Sequence, residues 1–385
     1  MQDSASEHRA TAETFELPPQ QTRLEELWSQ LRKNRLALIG LVIFGLFFLV
    51  AITGMLLTTG SSPVLDPSLV RLQEKLRPPL TGPNLESLLP DEVPPLRVYL
   101  LGTDELGRDV FARMLQGAWV SLTVGFVAVG LAVIIGVFLG GLAGYYGQSY
   151  IRLGEVILTL LAIWMAVGWS RLSGVYLILI AAVSTFVLVA MLIRRLEKSY
   201  GLFSLLDARL LSVDAVITSL IDIMLCFPSF FLILTVVALL PASIYNIMIV
   251  IGLTSWMGAA RFVRAEFLSL REQDFVTAAR ALGVSDWRII FRHMVPNAIA
   301  PVLVSSTIGI AGAILTEAGL SFLGFGVPPP HATWGNILSD GKNYLFDAPW
   351  LTIIPGVAIL LVVLSFNLFG EGLRDILNPK LRERH

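Results

Sequence analysis

The chain has 385 residues, of which 55% are hydrophobic and only 15% charged; its mean hydropathy is +0.73. Soluble domains carry about 25% charged residues, and a soluble fold of this size needs far more polar surface than this chain supplies. A soluble enzyme and a disordered protein are excluded, and a formal net charge of −1 gives no general attraction to nucleic acid.

Residues 1–35 form a polar tail. The apolar stretch 36–57 that follows exceeds the about 7–15 residues of a cleavable signal core. It matches the about 20 residues that cross a bilayer, so it predicts an uncleaved first transmembrane helix. Loop 58–119 is proline-rich between Pro63 and Pro95 and reads as extended and irregular. Near its end, Thr103 and Asp104 are placed to cap a short elbow helix, and Asp109 can pair with Arg108 or Arg113. Further apolar segments fall at 120–142, 155–170, 174–193, 214–238, 244–262, 297–318 and 350–370, making eight with the first. Residues 120–370 are thus a transmembrane domain, and 371–385 are a polar C-terminal tail.

Segment 155–170 is short, begins at Glu155 and is separated from 174–193 by a turn at Ser170 to Gly174. These two segments span together, or form a re-entrant or surface hairpin together. Dropping only one would turn every later loop over. Lys and Arg set the orientation. The N-terminal tail (Arg9, Arg23, Arg32, Lys33, Arg35), loop 194–213, loop 263–296 and the C-terminal tail are basic, whereas 239–243 has no Lys or Arg and 319–349 has only Lys342. Both termini are therefore expected on the cytoplasmic side. Cys226 is the single cysteine. It forbids an intrachain disulfide and, inside an apolar run, reads as buried and inert.

The informative stretch is the cytoplasmic loop 264–296. Residues 270–282 read as a helix with Leu270, Phe275, Ala278, Ala279 and Leu282 approximating one face, and with Arg271, Glu272, Asp274 and Arg280 around the rest. Gly283 stands where a left-handed helix C-cap needs no side chain. Ser285 and Asp286 are placed to cap a second helix from Trp287. Such a loop can lie on the lipid surface or present a knob to a partner's groove. The small Ala278 and Ala279 favour the partner, because a lipid-surface helix uses large apolar groups.

This loop resembles the EAA loop of membrane subunits of bacterial ABC importers. Ala278-Ala279, Gly283 and Pro296 fall at the family spacing, while Thr277, His293 and Val295 replace the usual Glu, Ile and Leu. Further blocks are similar to the C-type permease subunit of the dipeptide/oligopeptide/nickel branch. They are Leu27 to Gly40, Leu101 to Asp109 with Arg113 and Gly117, Phe227-Pro228-Ser229, Glu317 to Gly324, and Trp334-Gly335-Asn336. The resemblance covers roughly residues 25–147 and 214–382 and departs at 150–213, which reads as an inserted apolar hairpin. It implies an all-α polytopic membrane protein with a six-span core plus the insertion, about eight spans in all.

The resemblance also implies a role. The chain would form half of a translocation path with a second, homologous permease. Two ATPase subunits would dock on Phe275, Thr277, Ala278, Ala279, Arg280, Leu282 and Gly283, and an extracytoplasmic binding protein would deliver the ligand. ATP and Mg would be used by the partners, with no cofactor and no covalent step on this chain. Di- or oligopeptides are the implied cargo, with nickel chelates or another small solute as the alternative within the branch.

Charges inside a membrane face a cavity or a partner. Asp222 reads either as a snorkelling interfacial group or as part of the path. Glu317 reads either as a helix-end carboxylate or as a group near an outer gate, and Pro228 as a helix kink. The histidines His8, His293, His331 and His385 are scattered and suggest no metal site. No phosphate loop and no nucleophile triad is present in the sequence. An ATP-independent channel or secondary transporter would need an ion relay, for which only Asp222 and Glu317 are candidates.

Overall fold

A computed structural model describes residues 23–90, 92–147, 149–152 and 209–377. The predicted segments 155–170 and 174–193 lie outside the described residues. So does most of the inserted stretch 150–213, and so do the ends of both tails.

The short helix α1 (Arg23–Lys33) leads into α2 (Arg35–Thr58), whose first turn is capped by Asn34: the Ala37 N–H donates to its side-chain oxygen at 3.1 Å. Loop 59–109 is irregular but packed, with Leu65, Glu74 and Tyr99 buried. Helix α3 (Val110–Tyr145) has 36 residues, a length of about 54 Å at 1.5 Å per residue. It starts ten residues before the predicted span. There is no separate elbow helix at this point; residues 110–119 are the first turns of α3 itself. Asp109 is its cap, accepting the Phe111 N–H at 2.8 Å. Hydropathy misses these turns because Arg113 and Gln116 are polar, yet both are buried.

Two short strands, β1 (Tyr150–Arg152) and β2 (Arg209–Ser212), pair antiparallel and bring the two ends of the insertion together. The predicted run 214–238 is two helices, α4 (Val213–Cys226) and α5 (Ser229–Leu239), bent by 83° at Phe227–Pro228. Proline lacks the N–H a continuous helix needs and pushes the preceding residue out of the helical region, and Phe227 sits at φ −89°, ψ 134°. Cys226 is exposed rather than buried. It ends α4 on an apolar surface, with Ile223, Leu225 and Phe227, that the rest of the described chain leaves open. An apolar run in a membrane protein marks lipid or partner as readily as core.

Helices α6 (Ile244–Leu253) and α7 (Trp256–Leu270) form a single 27-residue span. Then come α8 (Asp274–Ala281), α9 (Val295–Phe322), α10 (Trp334–Gly341) and α11 (Trp350–Leu377). Among the described residues five helices are long and apolar enough to cross a membrane, and six if the bent pair is one span.

The long α3 is the central post, and its largest interface is with α7. Gly136, Gly140 and Gly144 recur every fourth residue along one face. A β-carbon at Gly136 would lie 2.9 Å from the Ala260 nitrogen and 3.0 Å from the Trp256 carbonyl; at Gly144 it would lie 2.9 Å from the Arg264 carbonyl. The backbones therefore touch, the packing that small residues allow where lipid supplies no hydrophobic drive between helices. Above this seam α3, α6, α9 and α11 share a core with Val124, Ile251, Ile314, Val362 and Phe366.

The helices run in a fixed order along the bundle. Gly372 of α11 lies against Ala37 at the start of α2, Gly54 against Leu115 near the start of α3, and Gly144 against Phe267 near the end of α7. Leu31, Ala37 and Ile376 cluster. The start of α2, the end of α11 and the α7–α9 loop thus share one end of the bundle, and α10 with the start of α3 occupies the other.

Replacing Gly140 by Val forces side-chain atoms into the Ala260 backbone. It is expected to cost about 1–3 kcal/mol or more, as overpacking does. Gly130→Ala on the same helix, with nothing within 4 Å, should be neutral. Thermal unfolding of the two variants in mild detergent checks the pair.

Candidate functional site

The α7–α9 loop hangs at the end of the bundle where α2 starts and α11 ends. Helix α7 ends at Leu270 and a three-residue turn separates it from α8, so the predicted continuous helix 270–282 is interrupted. Gln273 takes an extended conformation at φ −77°, ψ 148°, and α8 starts on Asp274, whose charge suits a helix N-terminus. Gly283 closes α8 at φ +73°, the left-handed cap expected of it. Its N–H donates to the Arg280 carbonyl at 3.0 Å, and Val284 N–H donates to Ala279 at 3.1 Å. A single turn, Asp286–Arg288, then runs through a π-helical stretch, Ile289–Met294, into α9.

The interruption changes which residues face where. Val276 (0% exposed) and Ala279 (8%) are buried with Phe267, Ile289, Ile290 and Met294. Phe275 is 41% exposed and Leu282 83% exposed, and Thr277, Ala278, Arg280 and Gly283 are exposed too. The expected single face over Leu270, Phe275, Ala278, Ala279 and Leu282 is therefore split. The turn at 271–273 resets the helical phase, and Val276, not singled out in the sequence, becomes the anchor. Phe275, Ala278 and Leu282, spaced i, i+3, i+7, form a second apolar stripe on the outside.

Polar groups tie this loop to α3. The Tyr145 hydroxyl donates to Asp286 Oδ1 at 2.6 Å and the Tyr146 hydroxyl donates to Oδ2 at 3.1 Å. The Arg280 guanidinium lies over the Tyr145 ring, 4.8 Å from its centroid. Burial first, and then the Asp286 carboxylate, push the Tyr146 hydroxyl up to about 12, so it remains a donor at neutral pH. Ser285 and Asp286 make no side-chain cap bond to the following turn; the Asp286 carboxylate is engaged with the tyrosines instead. No local pattern marks Tyr145 and Tyr146 for this role, because their partner lies about 140 residues away.

Next to the loop, Arg264 of α7 grips Asp214 of α4 with both arms, the second at 2.6 Å. Asp222 pairs with Arg261 at 2.8 Å, with both side chains largely exposed. Pro228 stands at the bend between α4 and α5.

The opposite end is organised by Asp104, not Asp109. Fully buried, Asp104 receives Arg113 and, at 2.7 Å, Arg108. Asp340 of α10 completes the set with Arg113 at 2.9 Å and Arg108 at 3.2 Å. Gln116 accepts the Ala332 N–H at 2.6 Å, and Trp334 donates to the Met114 carbonyl at 3.2 Å. Glu317 is 0% exposed. It accepts Ser321 at 2.6 Å and Ser121 of α3 at 3.4 Å, which places it inside the α3–α9 contact. A cavity of about 420 Å³ opens beside this network, lined in part by Glu105, Arg108, His331 and Asp340. Among the described residues no group of three or more His, Cys, Asp or Glu could hold a metal.

Long apolar helices joined backbone to backbone, with polar networks confined to the two ends, define a polytopic membrane protein. Comparison with known proteins narrows this. Residues 201–383 match the family model described as binding-protein-dependent transport system inner membrane component. Residues 22–79 match the N-terminal TM domain of oligopeptide transport permease C. The chain is 36% identical over 93% of its length, and 90% of the relative's, to the dipeptide transport system permease protein DppC of Alkalihalophilus pseudofirmus. It is 30% identical to the oligopeptide transport system permease protein OppC of Bacillus subtilis (91% of this chain, 88% of the relative). It is 32% identical to the glutathione transport system permease protein GsiD of Pectobacterium atrosepticum (75% of each). The chain belongs to the family of binding-protein-dependent transport permeases, components of the inner membrane.

Removing one member of a buried ion pair strands the other charge, at about 3–5 kcal/mol. Arg113→Met, which leaves Asp104 with Arg108 alone, should lower the unfolding midpoint in detergent strongly. Adding Asp104→Asn to Arg113→Met should recover part of the loss, because Arg108 and Asp340 then remain as a balanced pair with no excess carboxylate.

Proposed function

We propose that this chain is one permease half of an ATP-driven peptide importer. It lines the translocation path with a second, homologous permease and receives two ATPase subunits on α8. Relatives that carry dipeptide, oligopeptide and glutathione in their names support a peptide-type cargo. The binding protein delivers that cargo from outside. ATP and Mg are used by the ATPase subunits, and this chain performs no covalent step.

One observation carries the docking assignment. Helix α8 is held to its own chain by Val276 and Ala279, yet presents a second apolar stripe, Phe275, Ala278 and Leu282, to the outside. The small Ala278 between two larger groups makes a shallow notch suited to a complementary groove. The basic loop shares this end of the bundle with Arg32, Lys33 and Arg35 around the start of α2 and Arg374 at the end of α11, which supports a cytoplasmic assignment for it. ATP binding would draw the two ATPases together and shift α8, favouring one of two permease states by differential contact. Asp222 and Glu317 sit on different helices, each already engaged, which weighs against a relay for ATP-independent transport.

Ala278→Asp places a charge in the stripe without touching the buried anchor. The ATPase subunits should be lost from the complex purified out of native membranes, and peptide uptake should fall by at least an order of magnitude, the scale set by burying an unpaired charge. Unchanged co-purification and uptake would remove α8 as the docking helix.

A further inference from the structure

The bare stripe of α8 explains how a partner would grip the chain, but not how a push on α8 would reach the membrane helices. Apolar contact through Val276 and Ala279 is non-directional and lets an eight-residue helix slide or roll. The polar contacts do not. Asp286, just beyond the Gly283 turn, receives both hydroxyls from the last residue of α3 and the residue after it, at 2.6 and 3.1 Å. The two rings stand edge to face, 4.8 Å apart at 85°, which orients the hydroxyls toward a single carboxylate. Arg280, in the last turn of α8, lies over the same Tyr145 ring and donates from Nε to its hydroxyl at 3.4 Å. The end of α8 and the turn that follows it are therefore both held by the terminus of α3. That helix runs the full depth of the bundle and carries Arg113 and Ser121 of the polar contacts at the far end.

We propose that Tyr145 and Tyr146 are positioning residues for energy coupling. Through Asp286 they lock α8 to α3, so that displacement of α8 by an ATPase moves α3 as one body instead of being lost in the loop. This rests on α8 being the docking helix. Hydrogen bonds to a charged group are directional and stronger than neutral ones, which suits a joint that must carry load in a defined direction. The stem of the insertion, β1 and β2, leaves the chain immediately after this joint.

The test uses the native assembly, purified with its partners and reconstituted in liposomes. The double variant Tyr145→Phe/Tyr146→Phe keeps both rings, the packing and the Arg280 guanidinium over the ring, and removes the two donors together with the hydroxyl that accepts Arg280 Nε at 3.4 Å. Import of an isotope-labelled mixture of di- and tripeptides and hydrolysis of ATP are measured together. The expected result is ATPase subunits retained at wild-type yield with peptide moved per ATP reduced at least about tenfold, the equivalent of one of the two lost hydrogen bonds to a charged group. Asp286→Leu should match the double variant. Asp286→Asn, which keeps an accepting oxygen for one hydroxyl, should fall between it and wild type. An unchanged ratio of peptide to ATP in the double variant would overturn the proposal, and so would loss of the ATPase subunits from it, which would make the hydroxyls part of docking. Failure of the docking reading looks different: the wild-type chain itself would purify without ATPase subunits, and the joint would fall with it.

Discussion

The structure depends on the direct backbone contact between α3 and α7. Gly136, Gly140 and Gly144 let the two helices approach until a β-carbon would have no room beside Ala260 or Arg264. In lipid such contact is the main source of specificity, because apolar side chains gain little by leaving hydrocarbon for protein. Everything with functional interest is hung from this pair. Helix α7 feeds directly into the loop with α8, and α3 ends in the tyrosines that hold that loop. A rigid seam is what makes it meaningful to speak of α8 and α3 moving together.

Polar chemistry is kept to the two ends of that seam, and two networks there are internally paired. Asp104 with Arg108, Arg113 and Asp340 joins the start of α3 to α10, and Glu317 with Ser121 and Ser321 joins α3 to α9. In a low-dielectric surround a satisfied network is stiff and an unsatisfied one costly. The far end is thereby pinned, while the loop end is joined to its bundle by fewer bonds and leaves an apolar stripe bare. The asymmetry fits a molecule that is driven from one end.

Hydropathy was enough to find α2, α9 and α11 nearly to their ends, because a bilayer-length apolar run has few alternatives. It failed where burial and polarity part company. The first ten residues of α3 were missed because Arg113 and Gln116 are polar but matched by Asp104 and the Ala332 N–H. Cys226 was misjudged for the converse reason, since an apolar helix face can be open to lipid or to a partner. At the loop, the spacing from Ala278 to Gly283 was legible and the left-handed Gly283 followed from it. The facing of α8 was not, because the turn at 271–273 resets the helical phase and puts Val276 inside. The pairing of Asp286 with Tyr145 and Tyr146 joins groups about 140 residues apart, and no local pattern announces it. A still longer separation, 227 residues, hid Asp340 from Arg113.

The central claim is that the outer stripe of α8 is covered by an ATPase subunit in the membrane-embedded assembly. The most direct measurement places a photoactivatable cross-linking residue at position 282, where the native leucine is the more exposed of the two large groups of the stripe. The membranes are irradiated before any detergent is added, and the adducts are identified by mass spectrometry. The account predicts an adduct with an ATPase subunit. Adducts with lipid alone would contradict it and would make α8 a helix that rests on the membrane surface.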